Sequence, residues 1–291
     1  MTRHALPLAL LTFLLVACSG AAPSPTPAPS PSPVPPTPSP SPTAALYLRA
    51  YYTQSIPPRG TFTWLPMLTV ADGVLYDGNV AIDMIFPGPL TILPIARQIS
   101  PDGIAMLVNE ARRLGLLSDV TDFTAGQPMP GARLSNLQLV VEGVTYDLVG
   151  NPDSVNCANP CQADPGTPQA FAAYWQELTL AETWLNAELG PDQQYVPDRV
   201  ALLLTPPSDQ GMPNRPTDWP LDTAVAAAGV AYPGESGDRC VTLSGDALDA
   251  IWPTLRDGNQ LTVFVDGAGT QAAPVVRVLV RGDESPCPDG G

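Results

Sequence analysis

Eleven prolines fall between positions 23 and 42, at nearly every second residue and separated mostly by Ser, Thr and Ala. A stretch of this kind has nothing to bury, and alternating Pro biases the backbone to polyproline II. Ala21 to Thr43 therefore reads as a semi-rigid spacer, and any packed core must come from the residues C-terminal to it. At ~3.1 Å per residue the spacer reaches at most about 70 Å. Of the 37 prolines in the chain, one is Pro7, 11 lie in the spacer and 25 remain in the 247 residues from 45 to 291, so the Pro-rich composition marks a tether more than a disordered protein. Those 247 residues suffice for one large domain or two modest ones with a proper core.

The residues before the spacer read as a targeting segment. Met1 to His4 is a short basic start, and the apolar run Ala5 to Ala17 has 13 residues, short of the roughly 20 that span a bilayer. The run ends in Leu15-Val16-Ala17-Cys18-Ser19-Gly20, which looks like a bacterial lipobox: apolar residues at −3 and −2, a small residue at −1, then a Cys that receives diacylglycerol. An ordinary secretory peptide with a Cys at its cleavage site is the plainer alternative. The expected organisation is a signal peptide at 1–17, lipidated Cys18 and tether at 18–44, a first α+β unit at 45–165, and a linking helix with a second unit at 166–291. The expected location is the outer face of the bacterial cytoplasmic membrane or cell envelope. There the spacer would hold an acidic domain clear of anionic head groups, whose field fades over roughly 8 Å.

The charge inventory removes whole chemistries. All 13 basic residues are Arg against 28 Asp and Glu, and the only His is His4. No P-loop lysine, Schiff-base lysine, Ser-His-Asp set, Cys-His pair or His-ligated metal can be assembled. Cleavage before Cys18 leaves 12 Arg against 28 acids, a side-chain charge of −16, which argues against a phosphate-backbone partner. No cofactor, metal or nucleic acid is expected; the expected partners are the membrane, through the lipid, and an envelope protein or small-molecule ligand.

The pattern along 45–291 predicts α+β with antiparallel sheets and few helices. Strands are expected at Leu46 to Thr53, on either side of the Asp72-Gly73 turn, through Val80 to Phe86, at Leu93 to Ile99, and on either side of Glu142-Gly143. Ser100-Pro101-Asp102 opens a helix that Gly115 stops. A second helix is expected from Thr167-Pro168 to Leu189, with an aromatic stripe read as core. Val200 to Thr205, a short helix after Ser244 that Pro253 should shorten or kink, and strands around Asp266-Gly267 then replay the order strand, helix, hairpin. That repetition predicts two similar β-α-ββ units in tandem.

Four cysteines remain besides Cys18, and four permit three connectivities. Spacing favours Cys157 with Cys161 and Cys240 with Cys287; a zinc site built from all four competes, but no C-x2-C pair exists and the envelope is oxidising. For acid-base chemistry only carboxylates and Tyr remain. Asp83, Glu142, Asp147 and Glu177 have apolar or aromatic surroundings in sequence, whereas most other acids sit beside Gly or Pro, as turn residues do.

Trp64-Leu65-Pro66, Val70 to Gly73, Phe86 to Pro89, Leu93-Pro94 and above all Ile99-Ser100-Pro101-Asp102-Gly103 through Arg113-Leu114-Gly115, with Trp219-Pro220, Arg239-Cys240 and Cys287, resemble a group of uncharacterised, Pro-linked lipoproteins of high-GC bacteria. The resemblance implies architecture and location and lends no catalytic residues. Three readings compete: a non-catalytic binding or interaction module anchored in the envelope, which is preferred; a carboxylate-dependent hydrolase of envelope glycans; and a structural or inhibitory protein that caps a partner.

Overall fold

The computed structural model describes residues 46–55, 58–80, 86–126, 131–155, 163–208, 211, 213–233 and 237–288. The expected signal peptide, Cys18, the spacer, Asp83, Cys157 and Cys161 lie outside them. The fold is α+β, with two mixed, mostly antiparallel sheets of eight and six strands and five helices, and residues 41–291 cluster as one compact unit.

The first sheet is organised by β1 (Leu46–Thr53), whose alternation places Leu46, Leu48 and Ala50 in a helix-covered core and Tyr47, Arg49 and Tyr51 on the opposite face. After a one-turn helix α1 (Pro58–Thr61), strands β2 (Leu68–Ala71) and β3 (Val74–Asp77) form a hairpin. Its two turn residues, Asp72 and Gly73, both have positive φ, at 49° and 76°, the combination that matches the twist of the flanking strands. Then come β4 (Ile95–Gln98), helix α2 (Pro101–Arg113), β5 (Asp122–Phe123), and the hairpin of β6 (Leu134–Val141) and β7 (Val144–Gly150). Helices α3 (Pro168–Thr179) and α4 (Ala181–Trp184) and strand β8 (Gln193–Gln194) complete this half, in strand order β5-β7-β6-β1-β2-β3-β4-β8.

Local signals explain the helices. At α2 the Ser100 hydroxyl accepts from the Gly103 amide at 3.0 Å, and Pro101 takes a position whose amide would be unpaired anyway. Ile104, Leu107, Val108 and Ala111 share the buried face. At α3 Thr167 caps the Ala170 amide at 3.2 Å, and Phe171, Tyr174, Trp175 and Leu178 enter the same core. The aromatic stripe is core, as read: Phe171 stacks on Phe123 at 5.6 Å and on Trp175 at 5.9 Å. The helix expected to continue to Leu189 breaks at Leu180, whose φ of −112° and ψ of 25° are not helical. Its stripe is buried in the core that α2 also enters, and β8, which follows it, pairs with β4 of the first sheet.

In the second half, β9 (Arg199–Thr205), β10 (Arg215–Asp218), β11 (Val230–Ala231), β12 (Arg239–Ser244), helix α5 (Gly245–Asp257), β13 (Thr262–Val265) and β14 (Gln271–Leu279) give the order β10-β13-β14-β9-β12-β11. Leu248, Ile251 and Leu255 of α5 cover Val200, Leu202, Leu204, Val276 and Val278. The helix is not shortened by Pro253, where the sequence predicts a shortening or a kink, and runs on to Asp257. Pro253 and Asp249, whose carbonyl loses its bond, are both exposed, so water can solvate the break.

Strand, helix and hairpin do recur, each time beside a central strand, β1 or β9. The docking differs between the halves. β6, the first strand of its hairpin, pairs with β1, whereas β14, the last, pairs with β9; β12 pairs β9 directly, whereas the β2-β3 hairpin separates β1 from β4.

The sheets turn their helix-free faces toward each other. Tyr47, Ala71, Tyr76 and Ala96 of the first pack with Val280, and Phe62 packs on Ala201, Leu203 and Leu279 of the second. The Tyr195 hydroxyl donates to the Leu279 carbonyl at 2.9 Å, and the loop after residue 86 clamps the end of α5 through Leu90 N–H to Gly258 O and Gln260 N–H to Gly88 O, both 3.1 Å. The Cys240–Cys287 disulfide, one of the two expected pairs, ties the C-terminal segment to β12.

Candidate binding cleft

Of the four acids singled out in the sequence, the three among the described residues line none of the cavities described below. Glu142 occupies the tip of the β6-β7 hairpin at φ 53°, where it is exposed. Asp147 is exposed on β7 and accepts from Gln138 Nε2 at 2.8 Å. Glu177 lies on α3, where burial and the neighbouring Glu110 push its carboxyl up to about 7 against the pull of Arg113. Its Oε2 is buried without a hydrogen bond. None of the three lines a cleft at the end of β1 or on the second sheet, and among the described residues no group of three or more acids, Cys or His is placed to hold a metal ion.

One concave surface lies at the end of β1. Two adjoining cavities, of about 260 and 230 Å³, share Tyr52, Trp64 and Leu65 as walls. The first is completed by Met67, Gly78, Asn79, Arg133 and Thr179. The second reaches between the sheets to Arg49, Tyr51, Thr53, Gln54 and Arg277. Strand alternation explains how one element serves both: Tyr52 packs edge-on against Trp175 at 5.3 Å on the helix side, while Arg49 and Tyr51 face the second sheet.

Arg133 stands out electrostatically. Its guanidinium carbon lies 4.6 Å from the Tyr52 ring centre and 5.5 Å from that of Trp64, a cation–π arrangement that favours one side-chain orientation. Gln54 Nε2 donates to Gly131 O and Asn136 Nδ2 to Thr53 Oγ1, both at 2.9 Å, fastening the segment around Arg133 to β1. Among the described residues Arg133 has no carboxylate partner, a trait it shares with Arg112, Arg199, Arg215 and Arg239, whereas Arg97 has two and Arg113, Arg256 and Arg281 have one each.

The second cavity ends on a buried ion cluster. Arg49 Nε lies 3.1 Å from one oxygen of Asp283 and Arg277 Nη2 lies 3.8 Å from the other, while Arg199 donates to the Asp283 carbonyl at 2.8 Å. The Asp283 side chain has no solvent exposure. Burial pushes its carboxyl up against the pull of Arg49 and Arg277, and pulls the Arg277 guanidinium down against Asp283. Both shifts point the same way: desolvation outweighs the attraction within the cluster. Arg277 Nε is buried without a hydrogen bond. Two guanidiniums facing one carboxylate leave positive charge at this end of the cleft.

A further cavity of about 440 Å³, lined by Leu204, Pro206, Val225, Ala231 and Asp238, opens on the second sheet; its acid lies 3.7 Å from Arg59.

Arg49, Tyr51, Tyr52, Trp64, Arg133 and Arg277 were not singled out in the sequence as site residues. The one available signal was Arg49, a charge on the otherwise aromatic face of a central strand. No protein family, curated protein or solved structure matches the chain.

Proposed function

We propose that this chain is a lipid-anchored, extracytoplasmic binding module of the bacterial cell envelope. It is tethered through Cys18, belongs with the Pro-linked lipoproteins it resembles, and takes its ligand without catalysis in the cleft at the end of β1. One observation carries the binding reading: Arg133 is stacked on Tyr52 and Trp64 beside a concave site and has no carboxylate partner among the described residues, in a chain with 28 acids to 13 arginines. Arg112, Arg199, Arg215 and Arg239 also have no carboxylate partner among the described residues, so what sets Arg133 apart is its place over two aromatic rings in the wall of the cleft. Hydrolysis of glycans, the alternative, needs two carboxylates about 5–9.5 Å apart across a cleft; Glu142, Asp147 and Glu177 line neither cavity at the end of β1, and Asp83 lies outside the described residues.

Two measurements test the proposal. Wild-type protein should fractionate with membranes and incorporate labelled palmitate, and Cys18→Ser should lose the label and be released; a Cys18→Ser chain retained on membranes refutes the anchor. Immobilised mature protein should retain a component of soluble envelope extract that Trp64→Ala does not retain, and equal retention by both would refute the cleft.

A further inference from the structure

We infer that the cleft recognises a short saccharide bearing one oxyanion, a carboxylate or a phosphate ester, with Arg133 gripping the anion. The inference rests on the binding reading above and specifies its ligand.

Size comes first. Cavities of about 260 and 230 Å³ each fall below the ~300–1,000 Å³ that suits a drug-sized ligand. Each accommodates a ring-sized unit, and their common wall of Tyr52, Trp64 and Leu65 lets a two-ring ligand span both. The lining then describes the rings. Trp64 and Tyr51 offer flat apolar surface for the C–H face of a sugar, while Thr53, Asn79 and Thr179 offer hydrogen-bonding groups at the rims for hydroxyls.

Charge supplies the rest. A guanidinium whose carbon lies over two rings, and which makes no ion pair among the described residues, has N–H groups left for a ligand, and that fork matches a carboxylate or phosphate in a bidentate way. Stacking also limits the rotamers to be frozen on binding, so less affinity is lost to ordering. In the second cavity Arg49 and Arg277 share Asp283, so the local potential is positive there too. The chain as a whole is at −15, which repels a polyanion over long range, so the ligand is a short saccharide with one anionic group. Peptide docking by strand addition is not available here, because β1 is paired on both sides, to β2 and to β6.

The test is calorimetric titration of the full mature chain in detergent with three probes: cellobiouronic acid, glucose 1-phosphate and the neutral disaccharide cellobiose. At least one anionic probe should bind tenfold or more tightly than cellobiose, with an affinity that falls as salt is raised; which of the two wins identifies the anion. Arg133→Gln should lose at least tenfold toward the anionic sugar and clearly less toward cellobiose. Arg133 is exposed, so the variant should melt within a few degrees of the wild type. Equal affinity for charged and neutral sugars, or anion binding untouched by Arg133→Gln, overturns the inference. If no probe binds while Trp64-dependent retention of envelope material persists, the saccharide assignment fails alone; if retention fails as well, the binding reading falls with it.

Discussion

Replacing both Cys240 and Cys287 with Ala should remove a large fraction of this domain's stability. The two residues are 47 positions apart in sequence, and closing a loop of that length lowers the entropy of the unfolded chain by an amount worth about 4 kcal/mol at 25 °C. Packing adds to this. Cys240 is fully buried and Cys287 is 8 % exposed, in a cluster with Phe62, Ala201, Leu203 and Leu279, so losing the two sulfurs also leaves a void costing on the order of 1 kcal/mol. The bridge fixes the far end of the segment that inserts Asp283 between the sheets, with β14 fixing the near end. Urea unfolding of the full mature chain should show a lower midpoint, and a melting temperature lower by about 10–20 °C for a domain of this size. A changed slope in urea would report an altered unfolded state, which the chain-entropy argument expects. A loss below about 1 kcal/mol would refute the reasoning, because neither loop closure nor the void would then be contributing as calculated.

Two further outcomes concern the first layer. Because burial holds the Glu177 carboxyl up at about 7, the folded chain keeps a proton that the unfolded chain releases near 4.3. The stability it contributes is full below that unfolded value and is lost as the pH climbs through about 7. Glu177→Gln should flatten this part of the stability profile and exceed the wild type above pH 8; parallel profiles between pH 4 and 8 would count against it. Gly150→Ala would set a Cβ 2.5 Å from the Phe171 ring, which is itself wedged between Phe123 and Trp175. The substitution should cost about 1–3 kcal/mol in urea unfolding, and an unchanged midpoint would show that the ring can move aside.

Much of the local structure was legible in the sequence because its causes are local. The alternation in Leu46 to Thr53 and the apolar run Val200 to Thr205 mark the two strands that became central. Ser100-Pro101 marks the start of α2, and Asp72-Gly73 and Glu142-Gly143 mark the two tight hairpins. The order of strands within each sheet was not legible, because it depends on which hairpin strand reaches the central one, and β6 and β14 make that choice differently. The α3 stripe announced burial without saying against which layer. The placement of the acids was not legible for a similar reason: apolar neighbours in sequence describe a strand or helix face, and convergence on a cleft is a property of the folded chain. Arg49 and Arg277, from the first and last long strands, meet only through Asp283 in the segment after β14.

The central claim is that the end of β1 is where this protein meets its ligand, and hydrogen exchange tests it most directly. The full mature chain should be compared with and without the envelope material it retains. The account predicts slowed exchange at 51–54, 64–67 and 132–135. Exchange unchanged there but slowed at 204–205 and 225–226, which line the larger cavity on the second sheet, would contradict it.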